Sequence, residues 1–236
     1  MERSSKYSVI GTSCTVINFE GESLVEKSVI SNINLGLNQK HLYEYFDVYI
    51  NQIIAAGINL PEIKSYQLFD DHIKFFCKFA GSNILEVFQL KELIEGTGKN
   101  YLKMVVKELK KAVDSKINLD PHIKNFVIGE EGLFYVDFSP PYTKEYIKMR
   151  LERSASSEFE IIRKNFDYFK PENLMHHFLG DFFNIDQNIS RELLEGIYAI
   201  INEICPQDQN FTKFIQRSKK IRALEDERIQ RNIYLY

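Results

Sequence analysis

Asp120, Asn125 and Asp137 are the residues whose types and spacing could act together chemically. Asp120 opens the stretch Asp120-Pro121-His122-Ile123-Lys124-Asn125, and Asp137 ends an apolar run twelve residues after Asn125, followed by Phe138-Ser139. One carboxylate can orient a hydroxyl nucleophile, while an amide oxygen and a second carboxylate hold magnesium against nucleotide phosphates. Hard oxygen ligands suit Mg²⁺, which usually keeps several waters and is shared with substrate phosphates. The plainer alternative is local: Asp120 caps a turn before Pro121, and Asp137 caps the exit of a strand.

Such a set needs elements to hold it. Tyr7–Ile10, Cys14–Phe19 and Ser23–Ile30 are β-branched or aromatic runs separated by Gly11-Thr12-Ser13 and Glu20-Gly21-Glu22, which predicts three antiparallel strands. The spacing of Leu42, Phe46, Tyr49 and Ile53 predicts a helix over Gln39–Ala56, stopped by Gly57 and Pro61. Ser65–Phe69 and His72–Phe79 complete five strands, with Asp70-Asp71 as their turn. Beyond Gly81 the pattern is mostly helical. Leu102, Val105, Val106, Leu109 and Val113 form a clear amphipathic stripe over Tyr101–Val113. Phe126–Ile128, Gly129-Glu130-Glu131-Gly132 and Leu133–Asp137 read as a hairpin. Ser190 is placed to cap a helix carrying Leu193, Ile197, Ile200, Ile201 and Ile204, and Phe211–Arg231, mixed in charge, reads as a surface helix. The expected fold is α+β and two-lobed, with a five-stranded antiparallel sheet plus helix in residues 1–80 and a mainly helical lobe in residues 81–236.

Composition bounds what these lobes can do. A chain of 236 residues with 44% hydrophobic and 27% charged content can bury substantial cores. A net charge of -3 disfavours a general nucleic-acid partner, which needs a basic face. No uncharged apolar stretch approaches the roughly 20 residues that cross a bilayer, so no membrane association is expected. Cys14, Cys77 and Cys205 are odd in number and widely spaced, as expected of reduced thiols in a cytoplasmic protein. The opening Met1–Lys6 leads into a β-like run rather than the apolar core of a signal peptide.

The order of elements, with Asp120, His122 and Asn125 and then Asp137-Phe138 after a hairpin, resembles the protein-kinase-like fold. It is most similar to the small-molecule kinase branch that includes aminoglycoside phosphotransferases and choline kinases. The resemblance covers roughly Tyr7 to Tyr142; the later helices match only in type. It implies an ATP- and Mg²⁺-dependent phosphotransferase acting on a hydroxyl of a small molecule, such as an aminoglycoside-like antibiotic, an amino alcohol or a sugar. Asp120 would be the catalytic acceptor of the substrate hydroxyl, and Asn125 and Asp137 the metal ligands. Lys27, in the third strand, stands where the family anchors phosphates; otherwise it is an ordinary exposed strand lysine. Gly11, Thr12 and Ser13 stand where a phosphate-covering turn belongs. Glu44 is the acid expected to pair with Lys27, with Asp47 as its rival nearer the apolar stripe. Cys77-Lys78-Phe79-Ala80 would form the hinge, so Lys78 and Ala80 are expected at the nucleotide.

Three positions depart from the family pattern: Asn118 replaces a usual histidine, Ser139 follows Asp-Phe in place of glycine, and the phosphate turn is glycine-poor. Two other readings share the same residues: a non-catalytic, pseudokinase-type nucleotide-binding regulator, and a kinase-fold nucleotidyl transferase. Elsewhere the sequence is plainer. His176-His177 is adjacent rather than i, i+4 and reads as a surface or partly buried pair, since adjacent residues do not share a helical face. Pro140 and Pro141 stiffen the exit from the metal site. Phe166–Phe169 and Phe178–Phe183 read as core, with lining of an acceptor pocket as the alternative, and Lys219-Lys220 as solvated.

Overall fold

The computed structural model describes residues 4–9, 12–30, 38–231 and 233. The N-terminal strands are β1 (Ser4–Val9), β2 (Thr12–Phe19), β3 (Glu22–Ile30), β4 (Ile63–Leu68) and β5 (His72–Lys78). β2, β3, β5 and β4 form the body of an antiparallel sheet, in that spatial order, and β1 pairs along the outer side of β2. β2 and β3 are joined by Glu20 and Gly21, with φ of 52° and 84°. Two successive left-handed residues make the tight turn whose twist matches an antiparallel pair.

One helix covers this sheet. α1 (Gln39–Ala55) starts at Asn38, whose side chain accepts from the His41 amide at 2.9 Å, and it buries Leu42, Phe46, Tyr49 and Ile53, the stripe its spacing predicts. β5 alternates, with Ile73, Phe75 and Cys77 turned inward and the residues between them half-buried. Phe46 meets Phe75 edge to face, with centroids 5.2 Å apart, a preferred aromatic geometry.

β6 (Ser82–Asn83) is a two-residue strand that pairs with β7 (Phe126–Gly129), itself paired with β8 (Gly132–Tyr135). It was not expected from sequence, being too short to show periodicity. Its neighbourhood explains two glycines. A Cβ on Gly81 would overlap the Ile128 carbonyl, one on Gly129 would overlap the Ala80 carbonyl, and Gly81 has φ +127°. The chain leaving β5 therefore crosses the β7–β8 hairpin backbone to backbone.

The rest is helical: α2 (Ile84–Val87), α3 (Gly96–Asp114), α4 (Lys144–Glu152), α5 (Ser156–Tyr168), α6 (Leu174–Ile185), α7 (Arg191–Ile204) and α8 (Phe211–Gln230). α3 begins five residues before the predicted start and buries Leu102, Val105, Val106 and Leu109. Ser190 caps α7 by accepting from the Leu193 amide at 3.2 Å. Phe166, Phe169, Phe178 and Phe182 are core residues. Two expectations need correction. α8 is not merely a surface helix, because it buries Phe214, Ser218, Ile221, Arg222 and Glu225. His176 and His177 are both fully inside, on α6. The architecture is α+β, with a small antiparallel sheet and a helical C-terminal part. No described helix is long and apolar enough to cross a membrane.

Candidate functional site

Lys27 lies opposite Phe75 in the β3–β5 register, so its side chain leaves the sheet on the face that Phe75 and Val29 share. It is not an exposed strand lysine: only 4% of its surface is accessible. Its ammonium lies 4.5 Å from the centroid of the Phe138 ring and reaches Asp137 Oδ1 at 2.6 Å. Phe138 is held in turn by Phe46 of α1 and Phe75 of β5. The aromatic residue after the metal-ligand candidate thus anchors that end of the hairpin to the sheet, while Asp137 turns back toward the lysine. The Asp137 Oδ1 atom also accepts from Ser139, from its backbone amide at 3.3 Å and its hydroxyl at 3.0 Å. Ser139 therefore has a local function, fixing the Asp137 carboxylate rotamer.

The turn before β7 carries the other two candidates. Ile123–Asn125 forms one turn of 3₁₀ helix, and Asn125 and His122 are buried. The Asn125 amide nitrogen donates to the Asp120 carbonyl at 3.3 Å, which directs its oxygen away from that carbonyl. The Val136 amide donates to the Asn125 carbonyl at 2.8 Å. This bond ties the turn to the strand exit immediately before Asp137. Asp120, Asn125 and Asp137 are thus gathered at one end of the β7–β8 hairpin. The loop is also tied to the sheet side, because the Tyr49 hydroxyl of α1 donates to the Asn118 carbonyl at 2.9 Å.

Beneath the loop is a buried ionic cluster. The Asp181 carboxylate on α6 accepts from the Ile123 amide at 3.1 Å. The His122 ring has Nδ1 against Asp120 Oδ1, while its Nε2 lies 3.2 Å from Glu225 Oε2 and 3.6 Å from Asp181 Oδ1. His177 Nε2 reaches the same Glu225 oxygen at 3.2 Å, as does Arg222 at 2.8 Å. Burial opposes charge on His122, Asp120, Glu225 and Arg222, but mutual attraction wins. The His122 imidazolium is held well above the ordinary histidine range, against burial, by Asp120, Glu225 and Asp181. Burial pushes the Asp120 carboxyl up, and the charge and hydrogen bond of His122 outweigh it and hold it at about 2. Glu225 is likewise held well below the carboxylate range against burial, by His122 and His177.

The remaining predicted residues fall outside this constellation. Glu44 and Asp47 are both exposed on α1, and the acid seen on Lys27 is Asp137. Thr12 and Ser13 do not form a turn. They belong to β2, where Thr12 pairs with Val29 and Ser13 with Ser28, because β1–β2 pairing runs to the end of the hairpin. Gly11 lies outside the described residues. Lys78, the last residue of β5, pairs with Glu131 at 2.7 Å on the hairpin. Ala80 stands at the crossing by Gly129, where its carbonyl faces the hairpin backbone. Sequence reasoning missed His177, Asp181, Arg222 and Glu225. The i, i+4 spacing of His177 and Asp181 was one signal. The run Phe214, Ser218, Ile221, Glu225 on α8 was another, since it places a charged residue on an apolar stripe.

No protein-family model matches the chain, and no curated protein matches its sequence. The donor set nevertheless fits a divalent cation. Asp137 offers a carboxylate and Asn125 an amide oxygen, both hard ligands on adjacent backbone segments. One Asp137 oxygen already accepts the ammonium of Lys27, so Lys27 must withdraw before that oxygen can meet a metal.

Proposed function

We propose that this chain is a protein-kinase-like, two-lobed phosphotransferase that moves the γ-phosphoryl group of ATP to a hydroxyl of a small molecule with Mg²⁺. The observation carrying this reading is the meeting of Lys27 and Asp137 at 2.6 Å across 110 residues of sequence, beside a turn bearing Asp120 and Asn125. A strand lysine buried for structural reasons alone would rarely be aimed at the very carboxylate that the motif singles out.

Each side chain has a part that follows from its chemistry. Lys27 acts as a point charge on the α- and β-phosphates, exchanging Asp137 for phosphate oxygens when nucleotide arrives. Asn125 and Asp137 would hold Mg²⁺, which when bound neutralises charge on the transferring group. Asp120 accepts a hydrogen bond from the acceptor hydroxyl and aims its oxygen at phosphorus. Backbone groups between Lys78 and Ala80 meet the adenine edge. Selectivity for the acceptor belongs to the helical lobe, residues 81–236.

The test is Mg²⁺-dependent ATP binding, read by thermal stabilisation, followed by ATP turnover over aminoglycosides, amino alcohols and sugars. Binding with turnover of at least one class is expected, with phosphorylated product by mass. Neither binding nor turnover refutes the proposal. Binding without turnover would make the chain a nucleotide-binding regulator, and a nucleotidyl adduct would make it a nucleotidyl transferase.

A further inference from the structure

His122 is flanked by acids on both ring nitrogens: Asp120 at Nδ1, with Glu225 at 3.2 Å and Asp181 at 3.6 Å from Nε2. A neutral imidazole donates from one nitrogen only, so carboxylates on both sides fit the doubly protonated ring. Glu225 comes from α8, 103 residues beyond His122. It is itself seated by Arg222, which lies 2.8 Å from the same oxygen and is braced by Asp226 at 3.0 Å from Nε. His177 approaches that oxygen from α6, and Arg228 approaches the other Glu225 oxygen at 4.0 Å. These groups, from the loop, α6 and α8, are the charged neighbours that decide the state of His122.

We infer that Glu225 is a positioning residue for Asp120, acting through the His122 imidazolium, so that the docking of α8 governs whether the Asp120 carboxylate is fixed for its acceptor. The inference rests on the phosphotransfer reading for what Asp120 does, but not for the charge relay itself. The contacts run from α8 carboxylate to imidazolium to loop carboxylate, with Glu225 and His122 buried and the Asp120 side chain 14% exposed. With Glu225 in place, His122 keeps its proton through neutral pH and sets a cationic ring against one Asp120 oxygen. Without that charge the ring titrates lower and Asp120 loses its cationic partner, leaving its Oδ1 to the His122 backbone amide at 3.2 Å. His122, His177 and Glu225 could also be read as ligands for a metal ion. The Arg222 guanidinium argues otherwise, because it lies against the Glu225 oxygen that both histidines face and 4.0 Å from Asp181. A cation already occupies that side of the cluster.

The experiment uses the full chain and the near-isosteric variant Glu225→Gln. Histidine side-chain ¹⁵N spectra are recorded across about pH 6 to 9, spanning the ordinary histidine range and above, with His122 assigned through His122→Asn. In the same preparations kcat and the nucleotide KM are measured. In the parent chain His122 stays doubly protonated at about pH 8; in Glu225→Gln it titrates at least about one unit lower, as expected on losing a close opposite charge. At about pH 8 the variant's kcat falls on the order of tenfold with nucleotide KM held within about twofold, the pattern of a lost transition-state interaction. Glu225→Asp, which keeps the charge, keeps His122 protonated at neutral pH. A singly protonated His122 in the parent chain at about pH 7 overturns the inference even if the variant does not fold. An unchanged titration in Glu225→Gln overturns it, as does a shifted titration with unchanged kcat, or one equivalent of zinc retained by the purified chain. Titrations as stated with no ATP turnover in the parent uphold the coupling of α8 to the loop and sink the phosphotransfer reading instead.

Discussion

Asp137→Asn separates the structural from the chemical function of the Lys27–Asp137 pair. The substitution keeps shape and removes one charge. It leaves Lys27, whose side chain is 5% exposed, facing an amide where a carboxylate stood at 2.6 Å; the Asp137 side chain itself is 21% exposed. Breaking a fully buried pair costs about 3–5 kcal/mol, because a charge is stranded. Here the cost is smaller. The ammonium still has the Phe138 ring at 4.5 Å and the Val136 carbonyl at 3.4 Å, and the Asp137 side is open enough for water. About 2 kcal/mol is expected, and for a chain of this size that lowers Tm by about 4–8 °C. Calorimetry at pH 7 gives the shift. A double-mutant cycle with Lys27→Met gives the coupling, expected at about 1–2 kcal/mol for neighbours sharing one interaction. Mg²⁺-dependent turnover should vanish in the same folded protein. An unchanged Tm with zero coupling would refute the ion pair, and normal turnover would refute the metal assignment.

Other perturbations test the supports of the site. Tyr49→Phe removes the hydroxyl that donates to the Asn118 carbonyl at 2.9 Å inside the protein. A half-buried carbonyl left without this donor should cost about 1 kcal/mol, read as a lower urea midpoint with an unchanged slope. Gly81→Ala places a methyl on the Ile128 backbone at φ +127°, so a loss of more than about 2 kcal/mol or insoluble protein is expected; wild-type stability would refute the backbone crossing. His176 is inside, stacked on Phe214 with centroids 3.9 Å apart, and burial followed by the Arg217 charge lowers its pKa to about 4. Folded His176 is therefore neutral where the unfolded chain, with a pKa near 6.5, takes up a proton. Its contribution is complete above about pH 6.5 and is lost as pH falls toward about 4. Allowing for screening, His176→Leu should flatten the stability–pH curve by about 1–2 kcal/mol over that window; urea midpoints at several pH values check it.

What was legible in the sequence was local. The stripe of α1 and the Ser190 cap depend on spacings of three and four residues, which any helix imposes. The β7–β8 hairpin and the position of Asp137 at its exit followed from two glycines around two glutamates. What was not legible depends on chain meeting chain. Glu44 was chosen by chemistry and family position, yet Asp137 is the acid on Lys27, since a sheet–hairpin approach leaves no periodic trace. Thr12 and Ser13 were assigned to a turn because Gly11 precedes them, while strand pairing continues through both. α8 looked like a surface helix because its mixed charges resemble a solvated face. Arg222 and Glu225 are instead paired inside the protein, and an ion pair with a distant partner looks in sequence like an ion pair with water.

The same cluster constrains how Asp120 can act. A carboxylate held at about 2 by the imidazolium beside it is a poor base for an ordinary alcohol, so early proton abstraction is an inefficient use of it. In a loose phosphoryl-transfer transition state little charge builds on the attacking oxygen until the new bond forms, when the hydroxyl becomes strongly acidic. A weakly basic but tightly oriented acceptor suits that order of events. Under the phosphotransfer proposal Asp120, ionised throughout neutral pH, would hold the hydroxyl in line and take the proton late. His122, which lowers its basicity, also lies against its carboxylate, so under that proposal orientation would be gained at the expense of base strength where orientation counts for more.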